Sequence, residues 1–224
     1  MEQSLRIALW NANGMSQHQQ ELKTFITNNI DILLISETHF TNRNFMKIPR
    51  YDIYDTKHPS GRAHGGTAII IKRTIKHHEL IKYEKDFLQA TSVVVEDWCG
   101  PLTLSAVYCP PKHSIKQNQF EEYFNTLGAR FIAGGDYNAK HHYWGSRLIT
   151  TKGKSLHNTI MTNMYGIIST GQPTYWPTDR NKIPDVIDFC VTKGIAQNYM
   201  LAESNLDLSS DHSPVIITIS TRHN

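Results

Sequence analysis

Residues 131–138 read Phe-Ile-Ala-Gly-Gly-Asp-Tyr-Asn: an apolar run, two glycines, and then Asp136 and Asn138 two positions apart. Phe131–Gly134 suits a buried strand. Because glycine, aspartate and asparagine all favour turns, GGDYN alone is also readable as the bend that ends that strand. The pattern recurs elsewhere, and that gives it meaning. Asn11 follows LRIALW, Glu37 follows DILLIS, Tyr108 ends LTLSAV, Asp188 sits inside VIDF, and Asp211 and His212 precede SPVIITI. If these strands pair in two facing sheets, their ends bring the polar groups to one rim.

Outward from this stretch, strands are expected at Leu5–Trp10, Ile30–Ile35, Gly66–Ile71, Ala90–Val95, Leu102–Tyr108, Val186–Val191 and Pro214–Ile219. Weaker β patterns lie at Tyr51–Asp55, Thr174–Trp176 and Tyr199–Ala202. Three helices fit between them, at about Ser16–Asn28, Ser114–Leu127 and Gly153–Met164. In the second, Ser114 is positioned to cap, Phe120, Tyr123, Phe124 and Leu127 share a face, and Gly128 can close the helix. Many strands, several apolar on both faces, with few helices point to packed sheets covered by helices, an α/β sandwich in preference to a barrel.

With 224 residues, 39% of them hydrophobic, the chain has enough apolar surface for one full core, so a single domain over 1–224 is expected. Glycine and proline are spread as turn markers, and neither repeats nor low-complexity tracts are visible. Cys99, Cys109 and Cys190 are too few and scattered for a disulfide framework, and no C-x-x-C or H-E-x-x-H spacing suggests structural zinc. No apolar run approaches the roughly 18 residues of a membrane span, and no secretory signal pattern is present, so a soluble, intracellular protein without a membrane partner is expected. A net charge of +3 neither demands nor excludes a phosphate-bearing substrate.

Each polar residue has an ordinary reading beside the functional one. Asn11 and Asn13 before Gly14 are turn formers. Glu37 is either a solvated carboxylate at a strand exit or a ligand for a hard cation. Asp188, between Ile187 and Phe189, is costly to bury without a partner, and an imidazole is the natural one. SSDHSP is either a turn or an acid–imidazole pair suited to metal binding and proton transfer.

In order and context, WNANG, ISET, AVYCPP, GGDYNA, VIDF and SSDHSP resemble the successive signatures of the exonuclease–endonuclease–phosphatase superfamily, across Trp10–Pro214. GGTAIII, NAKHHYWGS and PTYWP are similar to endonucleases of non-long-terminal-repeat retrotransposons, most closely the Jockey-like group. The resemblance implies a four-layer α/β sandwich with two mainly antiparallel or mixed sheets flanked by helices. It also implies hydrolysis of one strand of double-stranded DNA that leaves a 3′-hydroxyl to prime reverse transcription. A reverse transcriptase domain in the same natural polypeptide and action in the nucleus would follow.

The expected ion is Mg²⁺, with Mn²⁺ as a substitute, held by Glu37, Asn11 and Asp211. Asp136 is expected to act as the base toward water and Asn138 to steady it. Tyr108 would donate to the phosphate, and His212, held by Asp188, would donate as charge builds. Asp185 occupies a position near the substrate phosphate in such proteins and would need the metal or a lysine beside it. The polar stretch between PTYWP and VIDF reads as a protruding hairpin. There Thr178, Arg180, Asn181 and Lys182 would touch DNA, chiefly by shape. Other readings are a cellular abasic-site repair endonuclease, a lipid or inositol phosphatase, and a DNA- or protein-binding module that has lost catalysis.

Overall fold

In the computed structural model, which describes residues 4–220, β1 (Ser4–Asn11) leads through a 3-10 turn into α1 (Gln19–Thr27) and β2 (Ile32–Ser36). β3 (Tyr51–Thr56), β4 (Thr67–Lys72), β5 (His77–Glu79), β6 (Tyr83–Lys85), β7 (Leu88–Asp97) and β8 (Gly100–Tyr108) follow. Then come α2 (Gln117–Asn125), β9 (Phe131–Asp136), α3 (Thr151–Asn163), β10 (Gly166–Ile168), β11 (Asp188–Lys193), β12 (Met200–Ser204) and β13 (Val215–Ser220).

The strands form two sheets, in the orders β12-β13-β1-β2-β4-β3 and β10-β11-β9-β8-β7-β5, with β6 also on β7. Each sheet holds one parallel pair, β1 with β2 and β8 with β9, and its other pairings are antiparallel. Ile7, Leu9, Ile32, Leu34, Ile69 and Ile71 of the first sheet meet Val93, Leu102, Leu104, Ala106 and Ile132 of the second in a central core. On the outer face of the first sheet, Leu22, Phe25 and Ile26 of α1 pack on Ala8, Leu33 and Ile70. On the outer face of the second, Phe120, Phe124, Leu156 and Ile160 of α2 and α3 pack on Phe131, Ala133 and Val191. Helix, sheet, sheet, helix is the four-layer α/β sandwich.

The parallel pairs fix where the chemistry lies. β1, β2, β8 and β9 all run toward the same rim and end there on Asn11, Ser36, Tyr108 and Asp136. Antiparallel β11 begins at that rim with Asp188, and β13 begins just after His212. Ser36 stitches the sheets together at this edge: its Oγ donates to Val107 O at 2.7 Å and accepts from Asp136 N at 3.1 Å. That approach needs Gly135, whose φ is +152°, because a Cβ there would lie 2.1 Å from Val107 O and 2.8 Å from Ser36 Oγ. GGD is therefore the buried end of a strand, and the turn reading fails.

Several expected elements shift for local reasons. The helix expected from Ser16 to Asn28 is split, with Met15–His18 forming a 3-10 turn before α1. α2 starts after Lys116, whose N–H donates to Gln119 Oε1 at 2.8 Å; Ser114 lies outside it. α3 is capped by the Thr150 side chain, which accepts Gly153 N. β11 starts at Asp188, not Val186, because the N–H groups of Val186 and Ile187 go to the Asp185 carboxylate and Thr174 Oγ1 instead of to a ladder. Thr174–Trp176 is not a strand: Tyr175 makes only single bridges, to Asp185 and to His212. Strands β5, β6 and β10 were not expected. No helix among the described residues is long and apolar enough to cross a membrane.

Candidate active site

The rim collects acidic and amide groups around one imidazole. His212 Nδ1 lies 2.8 Å from Asp188 Oδ2, and its Nε2 faces Asp136 Oδ2 at 3.9 Å. All three residues are buried, and their ligand-type atoms lie within 4.8 Å of one another. Thr174 holds Asp188 from below: its Oγ1 donates to Asp188 Oδ2 at 2.7 Å and accepts Asp188 N at 3.1 Å. The ring of Tyr175 lies over His212 at 4.9 Å.

Asp136 accepts from Asn11 Nδ2 at 2.8 Å, Asn138 Nδ2 at 3.0 Å and Asn138 N at 2.8 Å. Those donors favour the carboxylate, yet burial and the charge of Asp188 push its pKa up to about 8. Burial alone would depress His212, but the charge and hydrogen bond of Asp188 override it and raise the imidazole to about 9. Glu37, at a φ of +54°, follows β2 and accepts from the Tyr108 hydroxyl, with His39 Nε2 at 3.7 Å. Burial opposes its ionisation, and the contacts with His39 and Tyr108 win, so its pKa is lowered. Tyr108 itself is pushed well above the phenol range, first by burial and then by Glu37 and Asp136.

The residues singled out in the sequence therefore surround one site, with some changes of contact. The single hydroxyl hydrogen of Tyr108, expected to face a phosphate, is given to Glu37. Asn11 turns its amide nitrogen to Asp136, while its oxygen takes Asn13 N at 2.9 Å. Asp211 is half-buried beside His212 and accepts Asn13 Nδ2 at 3.3 Å. Asp185 has the lysine it needs: Lys140 Nζ lies 3.0 Å from its buried carboxylate, and Arg147 N donates to it at 2.9 Å.

Thr178, Arg180, Asn181 and Lys182 stand exposed on a loop. Its base is closed by the paired backbones of Tyr175 and Asp185, and Trp176 N donates to Asp211 O at 2.7 Å. Sequence reading passed over Thr174, His39, Ser36 and Tyr175 as functional groups. PTYWP marked the segment holding Thr174, but nothing local ties Thr174 to Asp188, 14 positions away.

The donor set suits a divalent cation. Glu37, Asp136, Asp188 and Asp211 place four carboxylates around one imidazole, and Asp188 Oδ1 is buried without a hydrogen-bond partner. Oxygen-rich surroundings of this kind suit a hard divalent cation.

The family model for endonuclease-reverse transcriptases matches residues 102–216, more than half of the chain and the part that carries Tyr108, Asp136, Asp188 and His212. The chain belongs to that family. This family member is 36% identical over 217 residues to the RNA-directed DNA polymerase from mobile element jockey of Drosophila melanogaster. The match covers 96% of the chain and 24% of that polymerase, so the chain spans about a quarter of its relative's length.

Its fold superposes on the endonuclease domain of TRAS1, a telomere-specific non-LTR retrotransposon, with a TM-score of 0.79 at 21% identity, covering 96% of this chain and 98% of that one. An AP endonuclease from Leishmania major gives the same TM-score at 14% identity, with 99% of this chain and 88% of the other covered. At such identities these two structures establish the four-layer fold, and the chemistry has to be argued from the site.

Proposed function

We propose that this chain is a divalent-metal-dependent endonuclease that nicks one strand of double-stranded DNA and leaves a 3′-hydroxyl. A reverse transcriptase domain of the same natural polypeptide would extend that end in the nucleus. The observation that carries the reading is the run Thr174–Asp188–His212 facing Asp136, with Asn11 and Asn138 on the acid and Glu37 beside it.

Glu37, Asn11 and Asp211 would hold the cation, which when bound supplies neutralisation of the charge on the phosphate oxygens. Asp136 takes the proton of the attacking water in its ionised form, a minority at neutral pH that grows toward pH 8, and Asn11 and Asn138 keep that carboxylate aimed. His212 stays protonated through neutral pH because Asp188 occupies Nδ1, leaving Nε2–H to donate to a phosphate oxygen as charge builds there. Tyr108 keeps its proton and fixes Glu37. Thr178, Arg180, Asn181 and Lys182 follow the groove from a loop whose base is tied to the His212 segment.

An abasic-site repair enzyme would share this machinery, so the deciding experiment compares nicking of intact and abasic duplexes with Mg²⁺ and with EDTA. Equal or better cutting of intact duplex supports the proposal. Cutting confined to abasic duplex favours the repair reading, and phosphate release from inositol or lipid substrates without nicking favours a phosphatase.

A further inference from the structure

Gly65 separates Tyr108 from a second cluster of imidazoles: a Cβ on it would lie 3.4 Å from Tyr108 Cε1 and 3.3 Å from His58 Cδ2. His58 is only 6% exposed. Its Nδ1 accepts the Ser60 backbone N–H at 3.1 Å, which leaves the hydrogen of the neutral ring on Nε2. That donor is enclosed and has no acceptor, and Nε2 of nearby His113 is likewise enclosed and without a hydrogen-bond partner. Among the described residues, the one carboxylate within reach of His58 is Asp86, 4.0 Å away on a side chain that is 70% exposed. The His64 ring lies over His58 with centroids 3.9 Å apart.

The surroundings are cationic. Burial, then His64, and after Asp86 also Lys112 and His113, act on His58, and its pKa is lowered overall. Arg62, on the same loop, and Lys112 are both exposed, and neither makes an ion pair among the described residues. An orphaned N–H selects an acceptor. A metal would need the Nε2 lone pair that this tautomer does not offer, whereas an anionic oxygen satisfies the donor and the neighbouring charges together.

We propose that His58, His64, His113, Lys112 and Arg62 form a binding site for a backbone phosphate of the DNA, beside the scissile phosphate to which His212 donates. This rests on the DNA-nuclease reading. His64 swings off His58 as the phosphate enters and adds its own ring N–H, and Lys112 and Arg62 supply the charge.

The test is the anisotropy of a short fluorescein-labelled duplex, titrated with metal-free full chain over a salt series, with thermal melting read in parallel. Each lost phosphate contact should flatten the slope of log K against log salt by about 0.9, which is about 8-fold in affinity at 0.1 M relative to 1 M salt. Arg62→Gln with Lys112→Gln, which together strip the charge from this one phosphate, should flatten it by about 0.9. His58→Phe, which keeps a buried ring without the donor, should weaken binding while the protein still melts cooperatively. Asp86→Asn should tighten binding by removing the competing charge, and Lys76→Gln, in the turn between β4 and β5, should leave it unchanged.

If wild type shows no salt-dependent duplex binding, the DNA reading fails and this proposal with it. If wild type binds with a steep slope and the Arg62, Lys112 and folded His58 variants bind alike, the phosphate site is overturned while the DNA reading stands.

Discussion

The Asp188–His212–Asp136 corner and the Thr178–Lys182 loop stand side by side and are built in opposite ways. In the corner every residue is buried, and most polar atoms meet a partner fixed on a strand end. In the loop every side chain is exposed, and order comes from two contacts of Asp179, which accepts Asn181 N on its side chain and Lys182 N on its backbone, both at 3.0 Å. Acid–base chemistry needs groups held to a fraction of an ångström, and packed strand ends supply that. Recognition of a groove tolerates, and uses, a surface loop on a rigid base. Under the proposed function, the corner would set the rate and the loop the choice of site.

The largest effects are expected in the corner. Asp136→Ala and His212→Ala should each lower the nicking rate by at least about 10²-fold, the lower end for acid–base groups. Unchanged circular dichroism would show that the fold is kept, and near-normal nicking by folded His212→Ala would take that residue out of the mechanism.

Asp188→Asn should cost about 10- to 100-fold, the range for groups that orient a histidine through its far nitrogen. Its pH dependence has a definite sign. His212 is raised to about 9 by Asp188, so removing the carboxylate lets the imidazole lose its proton at lower pH, and the alkaline limb of the rate profile moves down. The same profile in both proteins would make Asp188 structural only.

Thr174→Val is a smaller change. It strips Asp188 of one donor and leaves the N–H groups of Ile187 and Asp188 without their acceptor, so stability should fall by about 1–3 kcal/mol and activity by less than in Asp188→Asn. Denaturant melts and nicking rates on one preparation measure both.

The least effect on rate is expected from the loop. Replacing Thr178–Lys182 by a glycine-serine turn should move the nick positions along a duplex while stability stays within roughly 0.5 kcal/mol. An unchanged ladder of nicks on a sequencing gel would remove the loop from site choice.

The same contrast explains what the sequence made legible. Buried strand ends show themselves because a lone Glu37, Asp136 or Asp188 beside ILLIS, FIAGG or VI is out of place unless it does something. Strands apolar on both faces point to packed sheets covered by helices, and the count of four layers comes from the resemblance to the superfamily. β5, β6 and β10 escaped because HHE, YEK and GII are too short to show a period. Tyr175–Trp176 misled because aromatic residues favour strands, whereas Trp176 here spends its N–H on Asp211 O and its indole on Ser213 Oγ. Thr174 was invisible for another reason. A threonine hydroxyl is unremarked in any sequence, and only the fold brings it to Asp188. The gift of the Tyr108 proton to Glu37 is likewise set by the register of two sheets, which no local pattern encodes.

The most direct measurement of the central claim is supercoiled plasmid incubated with the purified chain and Mg²⁺, followed by extension of the product with a DNA polymerase and labelled nucleotides, with no phosphatase treatment in between. Open circles that carry label at the nick are expected, none with EDTA, and none above background with His212→Ala. Zinc-driven cutting in the absence of Mg²⁺, or nicks that accept no label until a 3′-phosphate is removed, would contradict that claim.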